Sequence, residues 1–537
     1  MNAIFIGHVH QRAMKNNVHL IAYVDRFGGG GIADLSALLG GPLRGVFGAV
    51  HLLPFFSPID GADAGFDPID HTEVDPRLGC WNEIKALSRE FGIMADVIVN
   101  HISDRSAQYL DYQKHGSASP FKGLFLTCES VFPRGATETD LAAIYRPRPG
   151  KPFIDVTLQN GERVTLWATF TQHQLDIDVG HALGKSYLRR VLQTLADGGV
   201  TMVRLDAVGY AIKKPGTSCF MIPETFEFIG DIAARAAELG AQVLVEVHSY
   251  YGRQIEIAKH VGWVYDFALP PLVLHAFAFG TAEYLKNWTR IRPCNAVTVL
   301  DTHDGIGIVD IGADPADREN HPGLVPPGEI DALVEHIHRA SGGQSRLATG
   351  AAASNLDVYQ VNCTFFDAMA RDERRYLLAR AIQFFLPGIP QVYYVGLLAG
   401  HNDMQLLAKT GVGRDINRHY YDRTEIAADL RRPVVQDLLS LIRLRNEHPA
   451  FFGTFHLQES DATTLGMRWE QGDHFAELSV QLATATYELS FSADGGAQKL
   501  LFVSAPAGTA SFRGDRIGDA ERLPSPSCRL AGDLTVQ

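Results

Sequence analysis

The chain has 537 residues, 46% apolar and 20% charged, which excludes global disorder and leaves room for about two to four domains or one elaborated barrel. Its 48 basic and 61 acidic residues give a net charge of −13 with no long Lys/Arg block, so a general nucleic-acid or anionic-membrane binder is not expected. Six scattered cysteines, Cys80, Cys128, Cys219, Cys294, Cys363 and Cys528, form no C-x-x-C pair and argue against a zinc ribbon or a disulfide scaffold.

The opening MNAIFIGHVHQRAMKNN holds no apolar stretch long enough for a secretory signal and reads as a short extension, residues 1–17. Short apolar, β-branched-rich runs follow at Val18–Val24, Ala49–Phe55, Ile93–Asn100, Thr201–Val208, Gln242–His248, Val264–Leu269, Ala296–Asp301 and Gln391–Val395. Continuous rather than alternating hydrophobicity suits parallel strands covered on both faces. Helical patterns lie between most of them, among them Trp81–Phe91, Leu183–Ala196 and Pro223–Leu239, the last opening with Pro-Glu as a first turn. Alternating strand and helix means α/β, and eight repeats predict a (β/α)8 barrel. A doubly wound sheet is the structural alternative, but no strand is followed by G-x-G-x-x-G.

Two spacings break the rhythm. Residues 103–179 and 305–370 are too long for ordinary loops and read as insertions. The uncharged stretch Ala381–Gly400 contains Pro387 and Pro390 and reads as a helix end, a turn and a buried strand, not a membrane span. The expectation is a soluble, cytoplasmic protein. Beyond Phe451 strand-like runs at Thr464–Trp469 and Phe475–Phe491, with turns at Gln471-Gly472-Asp473 and Asp494-Gly495-Gly496, predict a small all-β domain. Trp469 and Tyr487 could serve there as an aromatic platform for a polysaccharide, but strand alternation favours core packing.

Barrel chemistry sits at the C-terminal ends of the strands. Acids stand there on three: Asp206 in Arg204-Leu205-Asp206, Glu246 in Glu246-Val247-His248, and Asp304 in His303-Asp304. Residues two apart on a strand share a face, so Arg204 points with Asp206 and Glu246 with His248. Charges in a barrel mouth are costly unless paired, and Arg204, His101, His248 and His303 are the available partners. The set suits glycosyl transfer, which needs a carboxylate nucleophile and a protonated carboxyl, about 5–5.5 Å apart in a retaining enzyme. The arginine would keep the nucleophile ionised, while crowded acids raise the pKa of the donor. Structural ion pairs at the barrel ends are one competing reading. A catalytic metal is another, though the histidines have no H-E-x-x-H spacing.

These residues resemble the α-amylase superfamily, glycoside hydrolase family 13, whose four motif regions occur in order. They are Asp96-Val97-Ile98-Val99-Asn100-His101, Arg204-Leu205-Asp206-Ala207-Val208, Glu246-Val247-His248 and Val299-Leu300-Asp301-Thr302-His303-Asp304. Within it, the run Phe55 to Asp67, Ile144 to Gly150 (IYRPRPG), Gly350 to Gln360 (GAAASNLDVYQ) and Gly413 to His419 (GRDINRH) resemble the sucrose phosphorylase branch. The similarity runs from about Val18 to about Phe452. It implies barrel parts at 18–102, 181–304 and 371–450, B and B′ subdomains at 103–180 and 305–370, and a C-terminal β domain at 451–537.

Carried over by position, the resemblance implies Asp206 as nucleophile forming a β-glucosyl ester, Glu246 as general acid/base and Asp304 as transition-state stabiliser. Asp63 and Arg414 would clamp the far hydroxyls of the glucosyl ring, with His101, Arg204 and His303 lining the same pocket. Phe66 is either a stacking platform or ordinary core packing. Tyr145, Gln174, Tyr210 and His248 belong to the implied substrate-binding set. Phosphate must approach three acids, so a cation is required on the acceptor side, and Arg148 in its Arg-Pro-Arg-Pro-Gly loop is the candidate. Asp357, Tyr359 and Gln360 resemble the opposing acceptor loop, and the Arg148 and Asp357 loops are expected to exchange between half-reactions.

The resemblance implies sucrose plus phosphate giving α-D-glucose 1-phosphate plus fructose with retention, and a homodimer as in relatives of this branch. Sister phosphorylases acting on sucrose 6′-phosphate, glucosylglycerol or glucosylglycerate, and a plain α-glucoside or sucrose hydrolase, remain as alternatives. A catalytically dead binding subunit should lack one of the three acids, and all are present. No organic cofactor is implied, because the chemistry needs only carboxylates. Structural calcium, which many α-amylases bind near the position of Asn100, is left open.

Overall fold

A computed structural model describes residues 16–61, 63–146, 150–315, 317–350, 360–493 and 496–500. Eight parallel strands close into a barrel: His19–Ala22, Ala49–Leu52, Gly92–Ile98, Met202–Asp206, Gln242–Val245, Trp263–Asp266, Ala296–Thr298 and Ile389–Tyr393. They pair in chain order, and the first closes on the eighth through His19 opposite Gln391. Each apolar run read from the sequence contains or overlaps one of them. Nearly every strand residue is buried, as expected for a sheet lined inside by side chains and covered outside by helices.

The helices begin where local chemistry starts them. Pro223 opens Pro223–Glu238, and the His181 ring accepts from the Leu183 N–H ahead of Ala182–Asp197. Helix Glu373–Phe385, strand Ile389–Tyr393 and the turn Tyr394–Leu397 account for the uncharged 381–400 stretch. Among the described residues, no helix is long and apolar enough to cross a membrane.

The segment after the third barrel strand is tied back to it by His101–Ser103 pairing antiparallel with Gln174–Asp176. A second hairpin, Phe153–Thr157 with Arg163–Trp167, and short helices fill the rest. After the seventh strand, Ile306–Gly307 pairs antiparallel with Gln360–Val361, bracketing helices Pro327–Ala340 and Gln344–Gly350.

The last described residues form a five-stranded antiparallel sheet, Thr454–Gln458, Thr464–Gln471, His474–Gln481, Thr486–Ala493 and Gly496–Leu500. The run Phe475–Phe491 is thus two strands, divided where Ala485 takes a φ of +49°. Trp469 and Tyr487 are each only 7% exposed, and the Trp469 indole N–H donates to the Phe385 carbonyl at 2.7 Å. They belong to the core between sheet and barrel, not to a platform.

Candidate active site

Strand register assembles the charged floor of one pocket at the barrel mouth. Arg204 lies directly opposite Asp96 on the neighbouring strand, and their side chains meet inside the barrel. Asp96 also accepts from His51 Nε2 at 2.9 Å, assigning that nitrogen the proton. Burial opposes a charge on Asp96, but Arg204 and His51 outweigh it and hold the carboxyl at about 2. Arg204 Nη1 then reaches Asp206 Oδ1 at 2.9 Å, and its Nη2 lies 3.9 Å from Glu246 Oε1. One buried guanidinium therefore links three acids from the third, fourth and fifth strands. Burial raises the Asp206 carboxyl, reinforced by Glu246, Asp96 and Asp304; Arg204 is the opposing positive charge that keeps a carboxylate tenable there.

Asp206 ends its strand, and Ala207 after it takes a φ of +54°, a left-handed conformation that costs a non-glycine residue about 1 kcal/mol or more. The turn Val208–Tyr210 follows and delivers Tyr210 to the pocket wall.

Asp304 is held from the other side. Arg414 Nη1 stands 2.9 Å from its Oδ1, and Arg418 Nη2 and His303 Nε2 each lie 3.8 Å away. Against the penalty of burial, Arg414 above all, and Arg418, keep this carboxyl well below the usual range. Burial in turn drives His303 and His101 down, so both are neutral near pH 7. His248 differs: burial lowers it, but Asp310, with its carboxylate 2.7 Å from Nδ1, raises it above the ordinary histidine value.

The pocket is lined by Asp63, Phe66, His101, Gln174, Asp206, Tyr210, Glu246, His248, His303, Asp304, Gln360 and Arg414, all expected from the sequence. Arg204 lies beneath them. Phe66 combines both readings offered for it: it lines the pocket, stacks on His303 at 4.8 Å and lies under the Arg204 guanidinium at 5.6 Å. Tyr145 stands behind the wall, parallel to Tyr210 at 6.3 Å and packed on Phe220 at 4.7 Å. Arg148, Asp357 and Tyr359 lie outside the described residues, as do residues 1–15.

Sequence reasoning missed other participants. Asp96 was quoted in a motif without a role, and His51 and Asp310 were not singled out. Phe170 and Phe220 line the pocket as well. Only the apolar run around His51 hinted at an inward-facing polar residue.

Glu246, His248 and Asp304 offer three ligand atoms within 4.8 Å of one another. Arg414 already neutralises Asp304 and the Arg204 guanidinium stands beside Glu246, so this set is poorly suited to a second cation. Near Asn100 the cation is built in. Lys213 Nζ donates to Asn100 Oδ1 at 2.7 Å and to the Tyr210 carbonyl, and pairs with Asp176 Oδ2 at 2.6 Å. An oxygen cage of the kind a hard cation takes is filled by an ammonium group.

No family model matches the chain. It is 57% identical over 487 residues to a sucrose phosphorylase of Agrobacterium vitis, covering 89% of this chain and 99% of the relative. The chain belongs to the sucrose phosphorylase family. A second member, the sucrose phosphorylase of Bifidobacterium adolescentis, is 54% identical over 468 residues, 87% of this chain and 92% of its own. The crystal structure of a sucrose 6F-phosphate phosphorylase from Thermoanaerobacter thermosaccharolyticum superposes with a TM-score of 0.84 at 37% identity, covering 92% of this chain and all of that one. The expected barrel and branch are thus both found.

Proposed function

We propose that the protein catalyses sucrose + phosphate ⇌ α-D-glucose 1-phosphate + D-fructose by double displacement. The observation that carries the reading is the meeting of Asp206, Glu246 and Asp304 in one pocket, with Arg204 joining the first two. Asp206 attacks the anomeric carbon of the glucosyl unit and forms a β-glucosyl ester. Glu246 gives its proton to the departing fructosyl oxygen and then takes one from the incoming phosphate. Asp304, kept ionised by Arg414 and Arg418, faces the positive charge that develops on the ring. Asp63 and Arg414 hold the hydroxyls at the far end of the glucosyl unit, with His101 and Gln174 beside them, 3.0 Å apart. Two inversions at one carbon return the α-anomer.

The acceptor side is assigned in the same reading. Arg148 supplies a guanidinium for phosphate, and Asp357, Tyr359 and Gln360 supply the wall that favours fructose. Replacing Arg148 by Ala is expected to harm phosphorolysis more than hydrolysis; equal losses would remove Arg148 from the acceptor site. The division of the chain at residues 103, 181, 305, 371 and 451, a homodimer in solution and a cytoplasmic location belong to this reading.

Purified protein incubated with sucrose, with and without inorganic phosphate, tests the reaction. Fructose matched by glucose 1-phosphate only when phosphate is present is the expected result. Equal glucose and fructose in both tubes would make it a hydrolase. Inactivity on sucrose, with turnover of sucrose 6′-phosphate, would shift the reading to the sister reaction.

A further inference from the structure

His248 is gripped from behind by residues that follow the sixth and seventh strands. Its Nδ1 lies 2.7 Å from Asp310 Oδ2, its ring stacks on Phe267 at 3.8 Å, and its Nε2 lies 3.8 Å from Glu246 Oε1 in the pocket. Asp310 is completely buried, and its other oxygen accepts from the Ser249 N–H at 3.2 Å and the Gln254 amide at 2.9 Å. Both N–H groups converge on Oδ1, and with the carboxylate accepting on Oδ2 as well the proton of this contact lies on His248 Nδ1. Gly307 makes the approach possible: a Cβ there would stand 2.1 Å from Asp310 Oδ2 and 2.9 Å from His248 Nδ1. Gly307 also pairs with Gln360, the described end of the acceptor-side segment.

We infer that Asp310 is a positioning residue for the reaction: it holds His248 in one ring orientation and its negative charge favours the protonated ring, so that Nε2 is presented to Glu246 and to the anion entering beside it. The inference rests on the phosphorolysis reading. The charged groups around the imidazole are Asp310, Glu246 and Asp304, with Arg204 beyond Glu246 and Arg414 and Arg418 beyond Asp304. The nearby Arg253 is engaged with Asp314 at 3.1 Å. Asp310 is the only acid of the three in hydrogen-bond contact with the ring nitrogen facing away from the pocket. Removing its charge while keeping its shape should therefore lower the pKa of His248 and leave the other carboxylates in place.

The test uses the full chain and four variants: Asp310→Asn, Asp310→Glu, His248→Asn and the double variant Asp310→Asn/His248→Asn. Turnover of sucrose is followed across the neutral pH range with and without inorganic phosphate. Expected for Asp310→Asn is a fall in kcat/KM for phosphate of about ten- to a hundredfold. Its alkaline limb should move to lower pH by about one unit, because His248 then loses its proton earlier. Asp310→Glu should restore part of the limb. The double variant should lose no more than His248→Asn alone, since both changes remove one unit. An unmoved alkaline limb in a folded Asp310→Asn protein, or losses that add in the double variant, would overturn the inference. Gly307→Ala reaches the same pair from the other side and should reproduce the limb shift; a normal profile would also count against it. If wild-type turnover is independent of phosphate, the phosphorolysis reading fails on its own. The limb shift and the double-variant comparison are then read on hydrolysis, where they decide the Asp310–His248 link.

Discussion

The floor and the wall of the pocket are built on different principles. The floor is charged and fixed by strand register: Asp96, Arg204 and Asp206 occupy neighbouring strands and are joined by ion pairs. The wall is aromatic and comes from the segments between strands. Phe170 meets Tyr210 edge-on at 5.2 Å, Tyr210 tilts against Phe220 at 4.7 Å, and Tyr145 backs both. A buried ion pair fails badly when one partner goes, whereas aromatic packing degrades gradually. The charges are thus concentrated where strand register constrains the backbone most, and the aromatic surface where the segments between strands supply it.

Substitutions can break this contrast. Asp206→Asn should retain the fold, since the amide oxygen can still accept from Arg204, yet lose on the order of 10⁴-fold or more in glucose 1-phosphate formation. A rate within tenfold of the parent would take the nucleophile away from the floor. Asp96→Asn touches no substrate but should cost about 3–5 kcal/mol in chemical denaturation, because Arg204 is left buried with less counter-charge. The Asp96 carboxyl sits at about 2 in the fold against 3.8 ordinarily. Its contribution is therefore complete above about pH 4 and lost as pH falls toward 2, so an acid unfolding curve should flatten in that window in the variant. On the wall, Tyr210→Phe keeps the buried ring and should lower kcat/KM for sucrose about fivefold with little change in melting temperature. Phe170→Leu should change it only about two- to threefold. A wall substitution as damaging as Asp206→Asn would erase the distinction.

Legibility in the sequence follows the same line. The eight strands were visible because burial on both faces makes each a compact apolar run. The floor was visible because Arg204 and Asp206, or Glu246 and His248, stand two residues apart and so share a face. Strand ends were less sharp: the run Ala49–Phe55 pairs only as far as Leu52, because Pro54 cannot continue a ladder. Asp310 escaped notice because it meets His248 across 62 residues with no periodic pattern around it. Lys213 and Asn100 are 113 apart, and His51 and Asp96 are 45 apart. Such pairs arise only once the barrel closes.

The ammonium of Lys213, set among Asn100, Asp176 and the Tyr210 carbonyl, has a consequence for the conditions the protein can work in. A dissociable divalent ion at that joint would be exposed to sequestration by inorganic phosphate, the co-substrate that the proposed reaction consumes. A cation carried on a side chain is held at a fixed effective concentration by its own tether and cannot be drawn off. The seam between the first insertion and the barrel is therefore indifferent to how much phosphate surrounds it, and chelating agents should leave the melting temperature where it was.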